Sequence, residues 1–181
     1  MARTRTADGV PDFRVQFAGD APEVSLFEIE IWMASRIGAI SPLVDLLMAL
    51  IEGSHSIAGN ESDVQVALRE ALNNAVVHGN RMDAHKLVQV RCRCELGKGI
   101  DIMVADHGDG FDPSAIPDPL AAENLLAEHG RGIHPMKSVM DEVWFERGGL
   151  EVHMRKSPPR NRRTRLRSNN ESACRRPGKQ H

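Results

Sequence analysis

Apolar and polar residues alternate with period two at several places along this 181-residue chain, and recur with a period near 3.6 in one long stretch. Near the start, Phe13, Val15 and Phe17 are separated by polar residues. After the turn-prone run Gly19-Asp20-Ala21-Pro22, a second alternation sets Phe27, Ile29 and Ile31 between acids. Side chains two apart share one face of an extended strand, so both runs predict strands. Residues 88–96 keep the alternation unbroken, with Val88, Val90, Cys92, Cys94 and Leu96 on one face and Gln89, Arg91, Arg93 and Glu95 on the other. That is the pattern of a half-buried strand in an antiparallel sheet. Gly97-Lys98-Gly99 predicts a hairpin into a strand over 100–105, and Gly148-Gly149 predicts another between strands at 143–145 and 151–154.

Helices fill the gaps. Ser41-Pro42 suits a helix start, since Ser can accept from an orphan N–H and Pro already has helical φ, so a helix is predicted over 42–52. Over 60–79, Val64, Ala67, Leu68, Ala71, Leu72, Ala75 and Val76 form one apolar stripe, with Gly79-Asn80 as a left-handed stop. Between the two hairpins lies the interval 106–141, which opens with Gly and Pro, has a helical patch at 120–128, and ends in a helix over about 132–140. Hairpins interleaved with helices predict an α+β fold, a two-layer sandwich in which one mixed, mostly antiparallel sheet is covered on one face by helices.

Length fits a single domain, able to bury roughly 70% of its unfolded surface without disulfides. The formal charge of -2 conceals a split. Residues 155–181 hold ten Lys/Arg and one Glu, net +9, which leaves net -11 on the rest. The chain is therefore read as a folded domain over 1–155, partly extended over 1–25, and a basic tail over 156–181. Arg160, Arg162, Arg163, Arg165 and Arg167 lie among Pro, Ser and Asn with no aromatic to stack on bases, so the tail reads as a disordered, solvated appendage rather than a nucleic-acid surface. The longest uninterrupted apolar run, 46–51, is far below the roughly 20 residues of a membrane helix, and residues 1–11 lack the centre of a signal peptide. A cytoplasmic location without membrane attachment is expected. Three cysteines, an odd number, argue for reduced thiols. Cys92-x-Cys94 has no second pair to complete a zinc site, and His78, His85, His107, His129 and His134 show no paired ligand spacing.

Chemistry concentrates in three places. Glu70 and Asn74 stand one turn apart on the long helix, which ends at His78-Gly79. Alone, such a pair reads as solvated helix polarity. Next, the strand over 100–105 runs into Asp106-His107-Gly108-Asp109-Gly110, where glycines flanking an acid permit close backbone approach to a ligand. Last, His129-Gly130-Arg131-Gly132 directly precedes a helix, whose free N–H groups suit phosphate.

In this order the three boxes resemble the GHKL (Bergerat) superfamily of histidine-kinase-like ATPases, and most nearly its bacterial branch of anti-sigma-factor serine/threonine kinases. The resemblance rests on Glu70, Asn74, Ala75, His78 and Gly79, then Asp106, Gly108 and Gly110, then Gly130, Arg131 and Gly132 with the run from Met136 to Val143, and spans about 41–155. It implies ATP and Mg²⁺ as cofactors. Asn74 would hold Mg²⁺ and Asp106 would accept from the adenine amino group, with Gly108 and Gly110 beside the base. Gly130 and Gly132 would give N–H groups to the phosphates, Arg131 would add charge, and residues 111–129 would form a lid. Glu70 would be the general base for phosphoryl transfer to a serine or threonine. By the same resemblance the partners are a sigma factor and an anti-sigma antagonist, with homodimerisation, and the role is transcriptional control by partner switching. The alternative is an ATP-dependent clamp with little transfer. Where relatives carry Thr or Asn after the last hairpin's glycines, this chain has Leu150 and Glu151.

Overall fold

A computed structural model describes residues 3–5, 11–18, 26–112 and 133–158, with side chains over 27–112 and 133–158. The basic run beyond Pro158, the expected helical patch at 120–128 and the box Gly130-Arg131-Gly132 lie outside the described residues. Strands β1 (Arg3–Arg5), β2 (Pro11–Ala18) and β3 (Leu26–Ala34) lead into helices α1 (Ile37–Ser54) and α2 (Glu61–Asn73). Strands β4 (Leu87–Glu95) and β5 (Gly99–Ala105), helix α3 (Ile133–Val139), and strands β6 (Glu142–Glu146) and β7 (Glu151–Lys156) follow. The strands form one seven-stranded sheet in the order β1-β2-β3-β4-β5-β7-β6. Every pairing among the described residues is antiparallel, the limiting case of the mostly antiparallel sheet that the hairpins predict.

Period-two alternation sorts each strand onto two faces. Ile29, Ile31 and Met33 of β3, Val88, Val90, Cys92 and Cys94 of β4, and Ile100, Ile102 and Val104 of β5 are buried and join one core with the helices. Each large apolar side chain so buried contributes about 1.5–3 kcal/mol. The opposite face is polar: register places Glu28, Arg93, Asp101, Arg155 and Glu142 in one row across five strands. Opposite charges meet there, with Arg155 Nε 2.6 Å from Asp101 Oδ1. Being exposed, such pairs contribute only about 0–1 kcal/mol each.

Helix α1 begins five residues earlier than the Ser41-Pro42 signal suggests. Pro42 lies inside it and has no N–H to offer the preceding turn. Ala39 and Ile40 explain the extension, because both are buried and continue the stripe of Leu43, Val44, Leu47, Met48 and Ile51 by one turn. By length and composition α1 is apolar enough to cross a membrane, and this stripe packs into the core.

The helix predicted over 60–79 divides. After Asn73 the backbone widens into a π-helical turn, Asn74–Gly79, closed by the Asn80 N–H to Ala75 O at 2.8 Å. The left-handed stop is not Gly79-Asn80, since Asn80 has φ -83°; Arg81 (φ 56°) and Met82 (φ 59°) reverse the chain instead. At the other end, β7 runs through Lys156, one residue past the expected boundary. Lys156 is 9% exposed and its Nζ donates to Asp63 Oδ2 of α2 at 2.8 Å and to Val139 O at the end of α3 at 2.5 Å. A residue read as the start of the tail thus ties β7 to two helices.

Candidate functional site

The first two boxes meet where the π-helical turn ends against the loop after β5. Gly79 lies so near Asp106 that a β-carbon there would stand within 2.6 Å of Cγ, Oδ1 and Oδ2 of the carboxyl. A β-carbon on Gly108 would in turn stand 2.7 Å from the Gly79 carbonyl carbon. A side chain at position 79 would therefore have to displace the Asp106 carboxyl, and one at position 108 would meet backbone.

Asp106 leaves β5 with its backbone still paired, its N–H donating to Leu150 O at 3.1 Å. Its Oδ1 accepts the Gly108 N–H at 2.8 Å, which turns the loop back on the acid, and no hydrogen bond to Oδ2 is made among the described residues. Burial pushes the carboxyl above the ordinary carboxylate range, offset in part by the Gly108 N–H and by His107 and Lys86. A half-buried acid with one oxygen fixed and the other open is suited to accept one N–H from a ligand.

Gly110 adopts φ 73°, a left-handed conformation that a side chain disfavours. The next residue, Phe111, donates its N–H to Gly148 O at 2.9 Å and packs its ring edge-on to Phe145 at 5.2 Å. The loop thus rests on the β6–β7 hairpin, with Leu150 beside Gly110. This floor was invisible to sequence reasoning, because the turn and the loop are nearly forty residues apart and share no motif.

Asn80, read from the sequence only as a helix stop, has a second role. Fully buried, it donates from Nδ2 to Leu87 O at 3.0 Å and accepts the His107 N–H at Oδ1 at 2.9 Å. His107 Nδ1 also meets Leu87 O, at 2.9 Å, and must carry the proton because a carbonyl can only accept. Asn80 therefore links the end of the helical box, the start of β4 and the loop after Asp106. Its signal was its polarity at the end of an apolar stripe, which reads equally as a helix stop. On the rim, Arg81 pairs with Asp109 at 2.7 Å, both exposed.

Glu70 and Asn74 lie one turn apart, joined through the backbone by the Asn74 N–H to Glu70 O. Both are half-buried, and neither side chain forms a hydrogen bond among the described residues. Their α-helical turn precedes the π-helical turn that carries Gly79, so the Glu/Asn box and the Asp/Gly box belong to one continuous piece of chain. The donor set fits a nucleotide at its base end, because Asp106 presents an open acceptor beside glycine backbone. The Asn74 amide oxygen, without a hydrogen bond among the described residues, is the kind of hard ligand that Mg²⁺ takes, and the Glu70 carboxylate one turn away is likewise open.

The family described as Histidine kinase-like ATPase domain matches residues 33–156, from the end of β3 to the end of β7. The serine-protein kinase RsbW of Staphylococcus epidermidis is 28% identical to this chain over 134 residues, covering 68% of this chain and 84% of that protein. The serine-protein kinase RsbW of Staphylococcus aureus (strain MRSA252) is 29% identical over 139 residues, covering 70% and 87%.

Proposed function

The chain belongs to the histidine kinase-like ATPase domain family, and from that premise we propose that it is an ATP- and Mg²⁺-dependent protein serine/threonine kinase of the anti-sigma-factor type. The observation that carries the nucleotide reading is the junction of Gly79 with Asp106, which joins the helical box to an acid with one open oxygen. The kinase reading is supported by the likeness to relatives named serine-protein kinase. Its substrate is a small antagonist protein and its second partner a sigma factor, so that phosphorylation controls which of the two it holds.

When bound, ATP supplies the phosphoryl group and Mg²⁺ the charge that offsets the phosphate oxygens. Asp106 accepts the amino N–H of adenine at Oδ2, while Gly108 and Gly110 let the base approach the loop backbone. Asn74 offers its amide oxygen to the metal. Glu70, one turn away and without a side-chain hydrogen bond among the described residues, takes the proton from the attacking serine or threonine hydroxyl. Gly130, Arg131 and Gly132 are assigned to the phosphates by their motif alone.

The test is transfer from labelled ATP to a candidate antagonist, comparing wild type with Glu70→Ala and Asn74→Ala. Wild type should label Ser or Thr, Glu70→Ala should bind ATP and transfer at least a hundredfold more slowly, and Asn74→Ala should lose Mg²⁺-dependent binding. Undiminished transfer by Glu70→Ala removes the base assignment. Binding without any transfer by wild type makes the protein an ATP-dependent clamp instead.

A further inference from the structure

On the polar face of the sheet, at the β6–β7 hairpin, a group of side chains stands apart from everything assigned above. We propose that Glu146, Glu151 and His153 form a site for one divalent transition-metal ion, of which Zn²⁺ is the representative.

Glu146 and Glu151 are direct register partners on either side of the turn Arg147–Gly149, and His153 lies two residues beyond Glu151 on the same face. His153 Nε2 is 3.6 Å from Glu146 Oε2 and 3.5 Å from Glu151 Oε2. One ligand atom from each of the three lies within 4.8 Å of the others. That nitrogen is shielded from solvent and makes no hydrogen bond among the described residues.

The surroundings aim these atoms. Trp144 Nε1 donates to Glu146 Oε1 at 2.9 Å and Arg147 Nη1 to Glu151 Oε1 at 3.0 Å, so each carboxylate has one oxygen tied and turns the other toward the imidazole. The Trp144 ring stacks on His153 with centroids 5.1 Å apart and planes 13° from parallel, fixing the ring's tilt. Outer groups of this kind orient the ligands of metal sites.

Two physical costs point to a cation. Carboxylates directly opposite across a ladder repel, and a shielded ring nitrogen without a partner forfeits a hydrogen bond. One divalent ion bound by Oε2 of each glutamate and by Nε2 removes both. Imidazole nitrogen with two carboxylate oxygens suits Zn²⁺ and its neighbours, whereas Mg²⁺ and Ca²⁺ favour oxygen alone. Three protein ligands leave a position for water.

The hairpin is also the floor of the proposed base site, since Gly148 O accepts from Phe111 and Leu150 O from Asp106. An ion between Glu146 and Glu151 braces the two strand ends from which that turn springs. The site itself does not depend on the kinase reading.

The experiment is calorimetric titration of the full chain, stripped of metal by chelator and dialysis, with zinc chloride and separately with magnesium chloride. One Zn²⁺ per chain is expected, in the micromolar range or tighter, without a matching response to Mg²⁺. Glu146→Gln, at a half-exposed position that folding should tolerate, and His153→Gln should each weaken Zn²⁺ at least about tenfold. Zinc should also shift the His153 ring-nitrogen resonance in the folded wild type. Zinc binding unaltered in both variants places the ion on other residues and overturns the proposal. Absence of zinc binding by the wild type overturns it too.

Discussion

Gly79 and Asp106, 27 positions apart, share one volume: a β-carbon on the glycine would stand within 2.6 Å of Cγ and both oxygens of the acid. The contact makes the orientation of Asp106 depend on the residue at position 79. Gly79→Ala should force the carboxyl aside, lower stability by about 1–3 kcal/mol through overpacking, and weaken ATP binding more than tenfold. Urea unfolding and calorimetry with ATP measure the two effects. Wild-type affinity in a folded Gly79→Ala chain removes the acid from the base site.

Asp106→Asn separates the acid's role in binding from its cost to the fold. Asn keeps an oxygen for the Gly108 N–H but offers an amide N–H where adenine also presents one, so ATP affinity should fall by tenfold or more. Stability should move the other way. Burial raises the folded pKa above the unfolded value, so the native state binds the proton more tightly and this group's contribution worsens as pH rises from the ordinary carboxylate value through the raised one. At neutral pH the variant should therefore melt higher than wild type without nucleotide, and the gap should close as pH falls below the ordinary carboxylate range. A lower melting temperature at neutral pH contradicts the desolvation argument.

Asn80→Ala should destabilise the chain by about 1–3 kcal/mol, because it leaves the His107 N–H without its acceptor and takes one of two donors from Leu87 O. The loss should reach the nucleotide site through His107, which neighbours Asp106, and show as faster amide exchange at Gly108 in hydrogen-exchange measurements. Unchanged protection at Gly108 means that Asn80 supports the helix end alone.

Pattern reading reached the strands from Phe27 to Met154 and the buried face of β4 from Val88 to Cys94, because period-two alternation reports burial directly, but it carried that face on to Leu96, which lies past the end of β4 and is exposed. It singled out Glu70 and Asn74, whose spacing is one helical turn, and separately the loop at Asp106, but not the contact of Gly79 with that acid, which only the packing of the π-helical turn on the loop creates. It misplaced the start of α1, where Ser41-Pro42 is a local signal and the burial of Ala39 and Ile40 is a tertiary one. The π-helical turn has no signature in NAVVHG, since its widening is visible only in the bond from Asn80 to Ala75. Asn80, Lys156 and the His153 cluster were illegible for one reason: each works through partners brought from distant sequence by sheet register or helix packing.

Lys156 and the basic run beyond it should respond in opposite ways to removal. The Lys156 ammonium is nearly buried and bonded to Asp63 of α2 and to the last turn of α3, so Lys156→Ala leaves a carboxylate and a carbonyl without their donor. Asp63 is 42% exposed, and water will replace part of the loss. A destabilisation of about 1–3 kcal/mol is therefore expected, below the range for a fully buried pair. Ending the chain after Pro158 instead keeps Lys156 and also Ser157, whose N–H donates to Asp141 and whose carbonyl accepts from Asn60. That truncation deletes most of the positive run yet none of these bonds, so its unfolding midpoint and ATP affinity should match the full chain. Matched urea titrations of the two variants decide the point: a truncated chain as unstable as Lys156→Ala would assign residues 159–181 a part in the fold.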